Sequence, residues 1–295
     1  MNSTRSILTE TPSAPPRPAW ITGAGGLIGS HLARTDSTFR QRWRAIPLTH
    51  ASLDLGDDAA VRAAFEHDQP ELIIHCAALS KPTDCEQDPA RARKLNVEAT
   101  ARLAELAANC ALIFFSTDLV FDGRAGNYDE AAPVNPLSVY AETKVAAERI
   151  VLANPRHSVV RTSLNYGTSP AGDRAFNEEM FRAWAAGRTT RLFTDEFRCP
   201  IPAAVTAQAV WELAAAEQPG LYHLAGAERL SRWEVGQLVA AHDANVPARM
   251  EPCSLREYRG APRPPDTSLN CAKIQKLLTA PLPRFSAWLN SPAIP

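Results

Sequence analysis

The sequence predicts a doubly wound α/β fold: a parallel sheet with helices on both faces, followed by a smaller C-terminal region. Three observations predict it. The strand-length runs are apolar throughout rather than alternating with polar residues, as expected for strands buried on both faces. Stretches rich in helix formers separate those runs in a repeating β-α order. A glycine-rich turn follows the first run and opens the first helix.

The elements follow in order. Residues 19–22 form the first strand, and residues 27–34 the helix after the turn. Residues 45–48 are the second strand and 58–66 the second helix, which stops before Pro70. Residues 72–76 are the third strand. Residues 89–109 are Ala-rich and predict one long helix. Residues 112–115 give a strand, 118–136 a loop rich in Gly, Asp, Asn and Pro, 138–152 a helix and 158–161 a strand. Beyond residue 165 the rhythm loosens. Helices are expected at 175–186, 204–216, 233–242 and 271–278, with a strand at 221–224. The expected organisation is a loose arm over residues 1–17, a principal dinucleotide-binding region over 18–165, and a substrate cap over 166–295 with elements returning to the core.

Composition excludes several classes. The chain has 295 residues, with 31 Lys+Arg against 32 Asp+Glu and 45% hydrophobic residues. That balance gives no global attraction to nucleic acid or to an anionic membrane, and the apolar content excludes disorder throughout. No run reaches a membrane-spanning length and the N-terminus lacks the apolar core of a secretory signal, so a cytoplasmic location is expected. Six cysteines, at 76, 85, 110, 199, 253 and 271, form no Cys-x-x-Cys pair, which suits a reducing compartment. Seven dispersed histidines form no ligand run, so no metal site is expected.

The turn reads Thr22-Gly23-Ala24-Gly25-Gly26-Leu27-Ile28-Gly29. Gly23 allows a tight turn, Gly26 a close approach of backbone to a pyrophosphate, and Gly29 close packing of helix on strand. Backbone donors at Leu27 and Ile28 open the helix toward the phosphates. The second strand runs into Leu48-Thr49-His50, with no carboxylate to receive the adenosine ribose hydroxyls of NAD. Thr49 and His50 therefore favour NADP over NAD, and Asp54 and Leu55 fall near the adenine.

Tyr140 and Lys144 are four residues apart in a helical stretch, so they share one face. An ammonium beside a phenol favours the phenolate, which fits proton exchange with a carbonyl or hydroxyl. The preceding strand ends in Ser116-Thr117-Asp118, where Thr117 is placed to donate a hydrogen bond to a substrate oxygen.

With these landmarks together, the chain resembles an extended short-chain dehydrogenase/reductase, and within that superfamily the dTDP-4-dehydrorhamnose reductase family. The resemblance rests on Thr22–Gly29, His75-Cys76-Ala77-Ala78, Asn96, Ser116-Thr117-Asp118-Leu119-Val120-Phe121-Asp122-Gly123, Tyr140 with Lys144, Arg161-Thr162-Ser163, and Arg263-Pro264-Pro265-Asp266-Thr267-Ser268-Leu269. It implies a Rossmann-type sheet and NAD(P)H-dependent reduction of a nucleotide-linked 4-keto-6-deoxy sugar. Thr117, Tyr140 and Lys144 would be the catalytic trio, with Lys144 also holding the nicotinamide ribose. Cys76, Ala77, Ala78 and Asn96 would lie along the cofactor or its supporting wall, Ser116 would contact the cofactor, and the Arg161-Thr162-Ser163 strand end would sit beside nicotinamide and substrate. Asp118, Leu119, Leu164 and Arg263 would face the nucleotide sugar.

The chain departs from that family's pattern at Leu119, where Tyr is common, at Leu164-Asn165, where a Trp is common, at Ala141, and in the phosphate loop at Leu27-Ile28. The departures bear on which sugar is bound and leave the trio in place. Two alternatives come with the resemblance: an NAD-dependent nucleotide-sugar epimerase, and a non-catalytic dinucleotide-binding regulatory protein like the regulatory subunit of methionine adenosyltransferase. Related folds often pair through helices near residues 102–109, which makes a homodimer an expectation.

Overall fold

A computed structural model describes residues 15–34, 39, 41–243 and 247–291. Most of the expected arm lies outside those residues. Strand β1 (Arg17–Thr22) starts two residues before the expected first strand, pairing Arg17 with Trp43 of β2 (Trp43–Leu48), and α1 (Leu27–Arg34) lies between them. Helix α2 (Asp58–Asp68) is capped by the Asp57 side chain and leads to β3 (Leu72–His75).

A short α3 (Pro82–Gln87) precedes the long helix expected at 89–109, which is continuous but not uniform: α4 (Pro89–Arg93) widens into a π-type turn over Lys94–Glu98 and resumes as α5 (Ala99–Leu106), ending in a tighter turn over Ala107–Asn109. Such turns arise where a side chain competes with the helical ladder. Here the Asn96 side chain is drawn out to the backbone of Leu79, and Thr100 Oγ donates to the Asn96 carbonyl at 2.8 Å. The chain continues through β4 (Ala111–Thr117), α6 (Val139–Leu152) and β5 (Ser158–Thr162).

The remaining elements are the short β6 (Asn165–Tyr166), α7 (Phe176–Ala185), β7 (Thr190–Phe193), β8 (Phe197–Arg198), β9 (Ile201–Pro202), α8 (Ala203–Ala216), β10 (Gly220–Leu224), β11 (Leu230–Ser231), α9 (Arg232–His242) and β12 (Met250–Cys253). They end in the single-turn helices α10 (Ala272–Gln275) and α11 (Phe285–Leu289). The longer helix expected at 271–278 shrinks to α10. The Asn270 side chain takes its first orphan N–H, and the prolines at 281 and 283 bar continuation.

The main sheet is parallel throughout, in the order β10-β5-β4-β3-β1-β2. Side chains along each strand alternate between two apolar layers. Ile21, Ile74, Ile113, Phe115 and Val160 pack with Val210, Trp211 and Leu213 of α8 on one face. Trp20, Ile73, Leu112, Phe114 and Val159 pack with Leu103 of α5 and Ala147 and Val151 of α6 on the other. Each such side chain contributes about 1.5–3 kcal/mol by burial, which is why the strands read as continuous apolar runs. Met180, Trp184, Leu192, Val235, Val239 and Phe285 form a separate small core in the C-terminal region. That region nevertheless returns α8 and β10 to the main sheet. After β1 the chain goes outward to β2 and then crosses back to β3, so the order reverses between β1 and β3. Ligands of open parallel sheets bind at the carboxyl end of such a switch point.

Candidate active site

The glycine turn sits at that switch point. Gly23 has φ +69°, and a Cβ there would lie 2.7 Å from the Ala77 nitrogen. The turn and residues 76–78 after β3 are thus pressed together, tied by Ala77 N–H donating to Thr22 Oγ at 3.3 Å. A Cβ at Gly29 would collide with the Gly23 carbonyl, so α1 leaves the turn at closest approach. The first turn of α1 carries no acidic side chain, leaving its backbone donors suited to phosphate. Leu27 is buried and Ile28 half-buried behind this cradle.

Thr117 ends β4, and α6 brings Tyr140 and Lys144 against it. Ser138 caps α6 through the Ala141 N–H, while Glu86 of α3 accepts from Val139 N–H at 2.8 Å. A carboxylate at this end of a helix is favourable. The Tyr140 phenol lies near Thr117, whose Oγ donates to Asp118 at 3.3 Å, and packs with Leu119, Cys85 and Ala92. Burial, then the nearby Asp118 carboxylate, raise its pKa well above the ordinary value. The tyrosine is therefore a protonated donor in this state, not the lysine-stabilised phenolate expected from spacing. Lys144 Nζ lies 3.9 Å from the Phe114 ring centroid, and burial pulls its pKa down to about 7 against the supporting charge of Glu148.

A directional hydrogen-bond chain supports this corner. Thr100 Oγ gives its proton to the Asn96 carbonyl, so the neutral His75 ring carries its proton on Nε2 and its Nδ1 accepts from Thr22 Oγ at 2.7 Å. His75 Nε2 then donates to Thr100 Oγ at 3.0 Å. Burial and the Lys144 charge lower the His75 pKa to about 3, so the ring stays neutral. Asn96 bonds both backbone groups of Leu79 and donates to Thr143 Oγ, which donates to the Tyr140 carbonyl. The chain thus joins the glycine turn to the catalytic helix.

The geometry shows what several of the expected contact residues already bind. Asn96 is 1% exposed with its amide fully engaged, which puts it in the supporting wall. Arg161 is buried in a bidentate pair with Glu148, at 3.0 and 2.7 Å, so its guanidinium is already engaged within the protein. Ser163 donates to Asp118 Oδ2 at 2.7 Å and accepts from Cys199 N–H. Asp118 also accepts from Thr267 at 3.0 Å and lies 3.7 Å from Arg198. It is a buried tie rather than a free substrate ligand. Cys76, Ala77, Ala78 and Leu119 remain half-buried at the cleft wall. Leu164 is also half-buried, its carbonyl bonded to Ile201 N–H. Thr49 and His50 lie at the exposed end of β2, with His50 3.7 Å from Asp54, and Arg102 anchors the Leu55 carbonyl at 2.7 Å.

Two distant sequence landmarks meet here. A Cβ at Gly123 (φ +78°) would lie 2.7 Å from Pro265 N, and Tyr128 bonds Ser268 through its backbone. The Pro-Pro-Asp-Thr-Ser segment therefore forms the floor beneath the loop after Thr117. Arg263, expected on the substrate side, clamps buried Glu196 at 2.6 and 2.9 Å, and Arg198 bonds the same carboxylate. Arg232, not singled out in the sequence, joins them. Its Nη1 is buried without a partner, and desolvation lowers its pKa to about 10. Its only sequence signal was its position at the start of a helix. A cavity of about 340 Å³ lies at the opposite, amino edge of the sheet, among Arg17, Trp43, Glu71 and Glu217. Its rim charges pair with one another, away from this chemistry.

The site's residues fit a dinucleotide. The glycine cradle would be filled by any Cβ, and Ser116 Oγ at the end of β4 is buried without a hydrogen-bond partner. The RmlD substrate binding domain family matches residues 19–292. The chain is 33% identical over 292 residues to the dTDP-4-dehydrorhamnose reductase of Streptomyces griseus, covering 93% of each. It is 30% identical over 290 residues to methionine adenosyltransferase 2 subunit beta of Xenopus laevis, covering 92% of this chain and 85% of that one. The crystal structure of dTDP-4-dehydrorhamnose reductase from Bacillus anthracis, in complex with NADP, matches with a TM-score of 0.84 at 24% identity, covering 93% of this chain and 97% of that one. With the match running from within the first strand to past the last described helix, the chain belongs to the RmlD-type dTDP-4-dehydrorhamnose reductase family of extended short-chain dehydrogenases/reductases, oxidoreductases on a Rossmann-type NAD(P)-binding sheet.

Proposed function

We propose that this protein reduces a nucleotide-linked 4-keto-6-deoxy sugar with NAD(P)H, in the manner of a dTDP-4-dehydrorhamnose reductase, and that it prefers NADPH. The observation that carries this is the buried corner where Tyr140 and Lys144, on one face of α6, meet Thr117 at the carboxyl end of the sheet that also holds the glycine turn. Gly23, Gly26 and Gly29 with the start of α1 would hold the pyrophosphate, residues 76–78 and Ser116 the wall, and Lys144 the nicotinamide ribose. The cofactor, when bound, supplies a hydride to the carbonyl carbon. Tyr140 gives its proton to the carbonyl oxygen, and Thr117 Oγ orients that oxygen. Lys144 in its charged form stabilises the phenolate left behind. Burial, with the Asp118 carboxylate held by Ser163, Thr267 and Arg198, favours the protonated phenol that this step needs.

Arg232 and Arg263 fit the anionic linkage of a nucleotide sugar. Three guanidiniums surround two carboxylates there, and Arg232 Nη1 has no internal acceptor. The NADPH preference rests on Thr49 and His50, where a carboxylate would repel the 2′-phosphate. The test is a panel of 4-keto nucleotide sugars with NADPH and with NADH, followed by loss of reduced-cofactor absorbance. Turnover confined to 4-keto sugar nucleotides, faster with NADPH, is expected; no oxidation across the panel sinks the reading.

The similarity to methionine adenosyltransferase 2 subunit beta favours a second reading, a dinucleotide-binding partner protein. Co-purification with a synthetase whose activity is indifferent to Tyr140→Phe would support it. A reducing, cytoplasmic setting is also proposed, since all six cysteines are free thiols, as is a homodimer through the α5 region, which sedimentation analysis tests.

A further inference from the structure

We infer that Glu148, clamped by Arg161, is the positioning residue that keeps the Lys144 amine charged inside the buried site. The inference rests on the reading of Lys144 as the group that supports Tyr140 and the cofactor ribose. Tyr140, Lys144 and Glu148 are spaced four apart on α6 and form one buried stripe. An amine at such depth loses its charge unless an opposite charge faces it.

The groups facing Lys144 leave one anion for that task. From α6 itself come Tyr140, whose phenol stays protonated, and Glu148. From the end of β3 come His75, neutral in its hydrogen-bond chain, and half-buried Cys76, whose thiol desolvation keeps protonated. From α3 comes Cys85, whose thiol burial raises to about 11. From β4 comes the Phe114 ring, which favours a cation without carrying charge. Glu148 alone presents a carboxylate, and its two oxygens are fixed by Arg161 at 3.0 and 2.7 Å. Arg161 is fixed in turn. His223 Nδ1 donates to the Tyr128 carbonyl at 3.0 Å, leaving Nε2 to accept from Arg161 at 3.4 Å. The Arg161 guanidinium also lies 5.1 Å from the Phe121 ring. The pair behaves as an oriented dipole, its negative end one helical turn behind Lys144.

The test is the pH dependence of NADPH binding, read by protein fluorescence, alongside that of turnover. Affinity should fall as pH rises through the Lys144 titration. Glu148→Gln should move that midpoint down by about one pH unit or more, and Glu148→Asp, which keeps the charge, should restore it. The double variant Glu148→Gln/Arg161→Gln leaves no unpaired guanidinium and should shift the midpoint in the same direction, which covers the case where the single variant does not fold. A folded double variant with a lower melting temperature but an unmoved midpoint would make the pair purely structural and overturn the inference. Because NADPH binding needs no sugar, a shifted midpoint without turnover on any sugar would fail the proposed substrate and leave the role of Glu148 standing.

Discussion

The two ends of the dinucleotide cleft are built differently. At the end proposed to hold the nicotinamide, Thr117, Tyr140, Lys144 and Asp118 are all buried, and Asp118 is held by Ser163, Thr267 and Arg198. At the adenosine end, after β2, the His50 side chain is 86% exposed and its one charged neighbour, Asp54, is 54% exposed. Preorganised donors in a buried site act strongly on a reacting group, whereas an exposed charge is weakened by solvent and salt. Chemistry should therefore fail sharply when the first end is altered, while cofactor choice should drift when the second is.

Four substitutions break or sharpen that contrast. Tyr140→Phe removes the proton donor and should lower kcat by about 10²–10⁴-fold, with NADPH affinity retained by fluorescence titration. Gly123→Ala combines a left-handed backbone with a clash against Pro265 and should cost about 2–4 kcal/mol in urea unfolding. Its effect should spread to the whole nicotinamide end, because Thr267 and Asp118 share that floor.

Lys144→Met should abolish turnover and yet raise the melting temperature of the ligand-free protein. The Lys144 pKa falls from 10.5 when unfolded to about 7 when folded. The folded state thus binds fewer protons between those values, and stability rises with pH across that window. The penalty is fully present below about pH 7 and gone above about 10.5. Methionine removes both the penalty, on the order of a few kcal/mol, and the slope. Smallest of the four, His50→Asp should move the NADPH-to-NADH ratio of kcat/KM toward NADH by about tenfold, with kcat on the better cofactor nearly unchanged.

The same contrast governs what was legible in the sequence. Two-faced burial of β1, β3, β4 and β5 leaves uninterrupted apolar runs, and that pattern reads as a parallel sheet. Gly23 and Gly29 were legible because a close backbone approach tolerates no other residue. The Tyr140–Lys144 spacing was legible because helix geometry turns four residues into one face, and it extended unnoticed to Glu148. The internal partners of Arg161 and Asn96 were not legible, for a common reason. A polar residue at a strand end or in a helix suits a ligand, and it equally suits a buried partner brought in by the fold. Nothing local distinguishes the two cases, since Glu148 lies thirteen residues from Arg161 and Thr143 forty-seven from Asn96. The helix over 89–109 was legible from its Ala-rich composition, while its widened turn at Lys94–Glu98 was not, because that turn accompanies the tertiary bonds of Asn96 to Leu79. Arg232 was invisible because its significance is the absence of an acceptor among side chains from four separate segments.

The most direct measurement is single-turnover oxidation of NADPH by wild-type protein and by Tyr140→Phe, with dTDP-4-keto-6-deoxy sugar saturating and NADPH binding measured on the same samples. The account predicts rapid oxidation by wild type and a loss of at least about 100-fold in the variant, with equal NADPH occupancy. Equal oxidation rates in the two proteins, or none in a wild type that binds both ligands, would contradict it.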